Sequence, residues 1–62
     1  MNYIYVAAII DKKEGLVYLN VSENTFTKLI NQATLLDSDS AKRMQSHDGE
    51  QIMIFVYYQI HL

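Results

Sequence analysis

The sequence predicts a small α+β domain, with a three-stranded antiparallel or mixed sheet and one main helix on one face. Three observations lead to this fold class: a pair of β-rich segments around DKKEG at 11–15, an amphipathic stretch at 24–36, and an uncharged final segment, QIMIFVYYQIHL. A β-β-α-β order brings the last strand antiparallel beside the first. The expected strand order is therefore 2-1-3.

The first two strands are predicted to form a hairpin. Two segments are rich in β-branched and aromatic residues, NYIYVAAII at 2–10 and LVYLNVS at 16–22. Gly15 can adopt the left-handed conformation that a tight turn requires. A turn centred on Lys13 and Glu14 pairs Ile10 with Val17. In that register one face of the hairpin is wholly apolar.

The segment 24–36 predicts an amphipathic helix that covers one face of the sheet. Five apolar residues recur at helical spacing: Phe26, Leu29, Ile30, Ala33 and Leu36. The DSDS sequence at 37–40 interrupts this helix, and a second, short helical stretch follows through AKRMQS. An alternative assignment makes residues 26–35 a third strand and leaves only 40–47 helical.

The last strand, predicted over 51–62, raises the question of what covers the sheet. One main helix covers one face, so the other face is expected to show six large side chains: Tyr3, Tyr5, Tyr18, Met53, Phe55 and Tyr57. Such a group would exceed the few hundred Å² of contiguous apolar surface that monomers usually expose. The order 2-1-3 also places this uncharged strand at a sheet edge, where Lys, Pro or bulges normally prevent pairing.

These two features predict a protein–protein interface formed by the same six residues. Tyr, Phe and Met are enriched in interface cores. Two alternatives stay open: residues 37–50 fold over the aromatic face, or the tyrosines stand half-exposed in water. The working hypothesis is a non-enzymatic module, a homodimer that regulates or inhibits a macromolecular target by steric binding. Its size also suits a regulator encoded by a mobile element or phage.

A nucleic-acid-binding domain is the second hypothesis. Some RNA-binding domains stack bases on aromatic side chains of an open sheet, and four residues could do so here: Tyr3, Tyr5, Phe55 and Tyr57. The formal net charge is −2, and none of the basic residues is predicted on the aromatic face. Phosphate binding requires such charge, so nucleic acid is disfavoured as a partner.

No catalytic residue, metal site or cofactor motif is predicted. His47, Asp48 and Glu50 surround a DG pair that is typical of a turn. Asp37 and Asp39 resemble the start of a calcium loop, but the oxygen ligand and glycine required next are missing. The serines near His47 have no evident oxyanion site beside them. We therefore expect a protein that is not an enzyme.

Composition predicts a single domain over residues 1–62. Half of the residues are apolar, which is typical of a globular domain. The chain has no Cys, which excludes disulfides and thiolate metal sites and fits a reducing compartment. The longest apolar run, residues 52–58, is far shorter than the roughly 20 residues needed to span a bilayer. A cytoplasmic location is expected.

Overall fold

A computed structural model of the protein describes residues 2–48 and 51–60. In chain order the elements are β1 (Asn2–Asp11), β2 (Gly15–Asn20), β3 (Thr25–Thr27), a 3₁₀ turn (Ile30–Gln32), α1 (Ser38–Asp48) and β4 (Met53–Ile60). The strands form one antiparallel sheet in the order β3-β2-β1-β4. The small α+β class is confirmed, as is the antiparallel placement of the last strand beside the first. The three-stranded sheet of order 2-1-3 is wrong, because β3 forms an additional outer strand.

The turn between β1 and β2 is set by a side chain and a glycine. The Asp11 carboxylate accepts hydrogen bonds from the backbone N–H groups of Lys13 and Glu14, each at 2.9 Å. Gly15 has φ of +77°, a conformation that other residues rarely adopt. Together they close a three-residue loop between Asp11 and Gly15. The bonds from Glu14 and then Lys13 also lower the pKa of Asp11 below its ordinary value.

The resulting register differs by one residue from the predicted one. Ile10 pairs with Leu16 instead of Val17, and Ala8 pairs with Tyr18. Because side chains alternate along a strand, a one-residue shift moves every side chain of β2 to the other face relative to β1. The predicted register is wrong because the Asp11 loop contains one residue more than a tight two-residue turn.

The segment 24–36 does not form the predicted helix. The Asn20 side chain accepts a hydrogen bond from the Glu23 N–H at 3.0 Å, and the Asn24 N–H donates to the Val21 carbonyl at 3.1 Å. Asn24 has φ of +52°, a left-handed conformation that Asn tolerates better than most residues. This turn leads into β3, so the alternative assignment, a third strand with a later helix, is nearer to the observed fold.

An extended segment then returns to the middle of the sheet. The N–H and the carbonyl of Tyr5 each form a 2.8 Å hydrogen bond with the carbonyl and the N–H of Leu36. The Thr34 N–H donates to the Leu19 carbonyl at 2.9 Å. Where β2 ends, residues 34–36 therefore take its place beside β1.

The helix α1 packs on one face of the sheet. Asp37 caps it: its carboxylate accepts the Ser40 N–H at 2.8 Å, and its carbonyl accepts the Ala41 N–H at 3.0 Å. Serine is also a common capping residue, but neither Ser38 nor Ser40 takes that place. Ala41 forms a buried cluster with Ala7 and Leu36, against which five half-buried side chains pack: Tyr5, Leu19, Met44, Ile52 and Ile54. We call this side of the sheet the helix face.

The opposite side, here the distal face, carries a second line of buried residues. Val6 and Ala8 are 0% and 1% exposed, although α1 lies on the other side of the sheet. Phe55 lies directly opposite Val6, while Met53 and Tyr18 lie opposite Ala8 on the two flanking strands. Cross-strand neighbours are close enough to shield such small side chains.

Candidate protein–protein interface

The six predicted interface residues do not share one face of the sheet. Tyr3 and Tyr5 lie on the helix face, with ring centroids 6.2 Å apart. They line a depression beside α1, together with Ser38, Ala41, Lys42, Gln45 and Ile54. Tyr18, Met53 and Phe55 lie on the distal face, because they pair with Ala8 and Val6. The single aromatic face is therefore wrong. The shifted register of β2 moves Tyr18, and the pairing of β4 with β1 places Met53 and Phe55 opposite Ala8 and Val6.

Tyr57, the sixth residue, lies in a β-bulge of β4. Ile4 pairs with Tyr58 and Tyr5 pairs with Val56, so Tyr57 has no residue of its own opposite it on β1. Bulges bend a strand and increase its twist. The Tyr57 and Tyr58 rings are 6.0 Å apart at an interplanar angle of 72°, an edge-to-face arrangement.

Four consecutive large side chains are exposed on β4. Phe55, Val56, Tyr57 and Tyr58 are 39%, 56%, 37% and 52% exposed. The strand lies at the edge of the sheet with β1 as its neighbour, and residues 51–60 contain no Asp, Glu, Lys or Arg. The expected edge position of an uncharged last strand is therefore observed. His61 and Leu62, which the prediction also assigned to this strand, lie outside the described residues.

The backbone of β4 presents hydrogen-bonding groups at this edge. The N–H and carbonyl of Tyr5 point toward Leu36, away from β4. Backbone groups alternate in direction along a strand, so those of Val6 point toward β4 and pair with Phe55. By the same alternation, the N–H and carbonyl groups of Ile54 and Val56 point outward. In the described part of the chain no further strand lies beyond them.

The opposite edge of the sheet is protected. β3 has only three residues, Thr25–Thr27. The Thr27 hydroxyl accepts the Leu29 N–H at 3.1 Å and lies 3.2 Å from the side-chain oxygen of Gln32. Lys28 follows at once and forms an exposed ion pair with Glu14, 2.6 Å between nitrogen and oxygen. Short strands and Lys side chains are common features of edges that do not pair.

A second exposed apolar group follows β2, where the prediction placed the main helix. Its members are between 41% and 56% exposed: Val21, Phe26, Leu29, Ile30 and Leu35. The sequence contained a signal against a helix there. Asn20 and Asn24 have the same four-residue spacing as Asp11 and Gly15, and both pairs close a turn. The helical spacing of the apolar residues concealed it.

The molecule buries little for its size. Among the described residues the core consists mainly of alanine and valine, and Val6 is the largest fully buried side chain. The accessible surface is 4818 Å², whereas a compact monomer of this mass is expected to expose about 4,100 Å². The chain therefore exposes about 700 Å² more surface than a compact monomer of its mass.

The described residues offer few groups for other chemistry. Residues 2–48 and 51–60 contain no cluster of three or more His, Cys, Asp or Glu side chains that could hold a metal ion. Within the same ranges no helix is long and apolar enough to cross a bilayer. His47 and Asp48 end α1 instead of starting the predicted turn. Gly49 and Glu50, the rest of that turn, lie outside the described residues.

The depression beside α1 is lined by both polar and apolar side chains. It brings the side chains of Lys42 and Gln45 together with Tyr3 and Tyr5 and has a volume of about 390 Å³. No unpartnered buried polar side chain points into it, since in the described residues every buried side-chain nitrogen and oxygen has a hydrogen-bond partner. The exposed edge of β4 is therefore the stronger candidate site. Comparison with known proteins gives no match: no family model, no curated protein and no solved structure is significantly similar to this chain.

Proposed function

We propose that the protein is a non-enzymatic interaction module that forms a homodimer and regulates or inhibits a macromolecular target by steric binding. The observation that carries the proposal is a contrast between the core and one edge. Val6 is the largest fully buried side chain of the described residues, whereas the uncharged edge strand has four exposed apolar side chains in a row. An edge of this kind is a template for pairing with another chain.

The energetics of a small domain support the same conclusion. In a chain of this length, hydrophobic burial and conformational entropy nearly cancel, so natural domains of this size usually gain stability from disulfides, metals or a partner. The chain has no Cys. Covering the exposed side chains of β4 with a partner would supply the missing burial at about 25 cal/mol per Å² of apolar surface.

Binding to a target would follow from surfaces that the dimer leaves uncovered. The group at 21–35 is exposed and apolar. Its largest side chains are those of Phe26, Leu29, Ile30 and Leu35. Interface energy concentrates in a few large side chains that become fully desolvated. A steric regulator needs only such a surface and no catalytic group. A cytoplasmic location belongs to the same proposal, because a chain without Cys suits a reducing compartment.

The nucleic-acid-binding alternative has less support. Base stacking on a sheet needs aromatic side chains on one open face, and here Tyr3 and Tyr5 are separated from Phe55 by the sheet itself. Lys42 lies beside the two tyrosines, but α1 packs on that face. The net charge of −2 gives no general attraction for phosphates.

Sedimentation equilibrium from low to high micromolar concentration tests the homodimer. We expect a reversible monomer–dimer equilibrium; a monomer at every concentration would contradict it. Target binding is tested separately, by affinity capture with the wild type and with the double variant Leu29→Asp, Leu35→Asp. We expect a host protein that the wild type retains and the double variant, still folded and dimeric, does not. Equal capture by both would exclude this surface.

A further inference from the structure

We propose that two copies of this chain pair antiparallel through their β4 strands, about a two-fold axis at Phe55, and so form one continuous sheet. The inference rests on the proposed homodimer and names its surface and geometry. The partner is a second copy of the chain, and the contact is the outward edge of β4 rather than either face of the sheet.

The backbone fixes the register of this pairing. Outward N–H and carbonyl groups belong to Ile54 and Val56, as the bonds between Tyr5 and Leu36 imply. In an antiparallel pair, hydrogen bonds are exchanged only where outward-pointing residues lie opposite each other. If Ile54 lies opposite Val56 of the second copy, the outward N–H and carbonyl groups of both residues form hydrogen bonds in both chains. That register puts the two-fold axis at Phe55.

The side chains permit this register without a charge conflict. Residues 51–60 carry no charge, so a two-fold axis brings no like charges together. The two Phe55 side chains would lie opposite each other on the distal face, in the pair type whose side chains are closest. Val56, which is 56% exposed, would be covered by Ile54 of the second copy on the helix face. The bulge at Tyr57 bends the strand away and limits flat pairing to its first half.

A second copy fits this edge better than a foreign strand. Selective binding of a foreign peptide requires a matching charge or a pocket for a particular side chain, and this strand has no charge to provide the first. Self-pairing needs neither, because every residue meets an uncharged residue of the same strand.

The test compares two valines of equal exposure. Val56 on the β4 edge and Val21 in the turn after β2 are both 56% exposed, so each should tolerate Lys in the folded monomer. We expect Val56→Lys to raise the dimer dissociation constant at least about tenfold, because it places two ammonium groups within the apolar contact. Val21→Lys should leave the constant unchanged. Circular dichroism of both variants verifies the fold.

Amide hydrogen exchange gives a second, geometric readout. In the wild type at dimer concentrations, the Ile54 and Val56 amides should exchange slowly, and both should become fast on dilution or in Val56→Lys. The Met53 and Phe55 amides, which bond to β1, should stay slow throughout. Fast exchange at Ile54 and Val56 in a wild-type dimer would overturn the edge pairing.

The two proposals fail in distinguishable ways. A Val56→Lys variant that dimerises as well as the wild type overturns the pairing through β4 but leaves a homodimer that uses another surface. A wild-type chain that stays monomeric at high concentration overturns the homodimer itself, and with it the pairing.

Discussion

The two edges of the sheet differ in length and in charge. β4 has eight residues, and its residues 55–58 are all exposed. β3 has three residues, two of them threonines, and Lys28 follows it. Both edges belong to one small sheet, yet only β3 combines a short strand with a flanking charge, whereas the bulge at Tyr57 leaves the first half of β4 open to pairing. The comparison indicates that the exposed apolar edge is particular to β4. It does not result from a general lack of polar residues in the chain, because the other edge of the same sheet carries threonines and Lys28.

A pair of proline variants would test the direction of the backbone groups in β4. One of them, Phe55→Pro, is expected to have the largest effect on stability. Phe55→Pro removes an N–H that bonds to β1 and leaves the carbonyl of the fully buried Val6 without its partner. An unpaired buried carbonyl costs about 1–3 kcal/mol, a large share of the stability of so small a domain. We expect Phe55→Pro to lower the melting temperature strongly or to abolish folding, as measured by circular dichroism.

Val56→Pro is the matched control. Its N–H points outward, where Pro is tolerated in edge strands, so the monomer should fold with little loss of stability. The dimer should be lost, which sedimentation would show. Equal destabilisation by the two prolines would contradict the assigned direction of the backbone groups.

Removal of the cap of α1 should have an intermediate effect on stability. The loss of protection should extend to β4 but not to β3. The helix packs against β1 and β4, and Asp37 supplies its N-terminal hydrogen bond to Ser40. We expect Asp37→Ala to lower the melting temperature by several degrees, since α1 loses its cap. Amide exchange should accelerate in α1 and β4 more than in β3. Equal acceleration in β3 would show that the two edges are not independent.

The same residue predicts a pH dependence. The hydrogen bond from the Ser40 backbone N–H is the main cause that holds the pKa of Asp37 below its ordinary value. The unfolded chain therefore binds this proton at higher pH than the folded chain does. Its stabilisation is present above about pH 4 and is lost as the pH falls through the folded pKa.

Asp37→Asn separates the charge from the cap. Asparagine keeps the capping oxygen without titrating, so melts of this variant between neutral pH and about pH 3 should show a smaller loss than the wild type. Part of the loss should remain, because Asp11 has its pKa lowered in the same direction. An unchanged pH profile would argue against this role of Asp37.

The ion pair beside β3 should have the smallest effect. The side chains of Lys28 and Glu14 are 60% and 54% exposed, and such pairs contribute about 0–1 kcal/mol. We expect Lys28→Ala to leave the melting temperature nearly unchanged. The dimer should also persist without larger species, because β3 stays short and the turn held by the Thr27 hydroxyl still follows it. Larger oligomers on sedimentation would instead identify Lys28 as the protection of that edge.

The parts of the fold that the sequence predicts correctly depend on local pattern and on the order of the elements. The β-rich segments became β1, β2 and β4, and the predicted order of elements correctly placed the last strand beside β1 at an edge of the sheet. The errors come from turns. Asp11 binds two amides and adds one residue to the first loop, and Asn24 takes a left-handed conformation that ends any helix at 24–36. Apolar spacing carries no information about either effect.

The candidate site was predictable only in part. Phe55 and Tyr57 lie on the exposed edge as single-strand reasoning suggested. Tyr3 and Tyr5 do not share the face of Phe55, because face assignment depends on the register between strands, and the pairing of β1 with β4 places Phe55 opposite Val6. No pattern within a single strand specifies that register. The sequence assigns Phe26 and Leu29 to a helical stripe and hence to the core, but both are exposed. Leu36 instead bonds to Tyr5 as extended backbone, and Asp37 caps a helix that begins only after it.

The brevity of β3 has a consequence for how far association can proceed. Molecules whose sheet has two long unprotected edges can add neighbours on both sides without limit, as happens in fibrils. In the part of the chain that the structure describes there is one such edge, and the opposite edge ends after three residues. Once the long edges of two molecules have joined, these described residues leave no edge of comparable length to recruit a third, so assembly would stop at a pair.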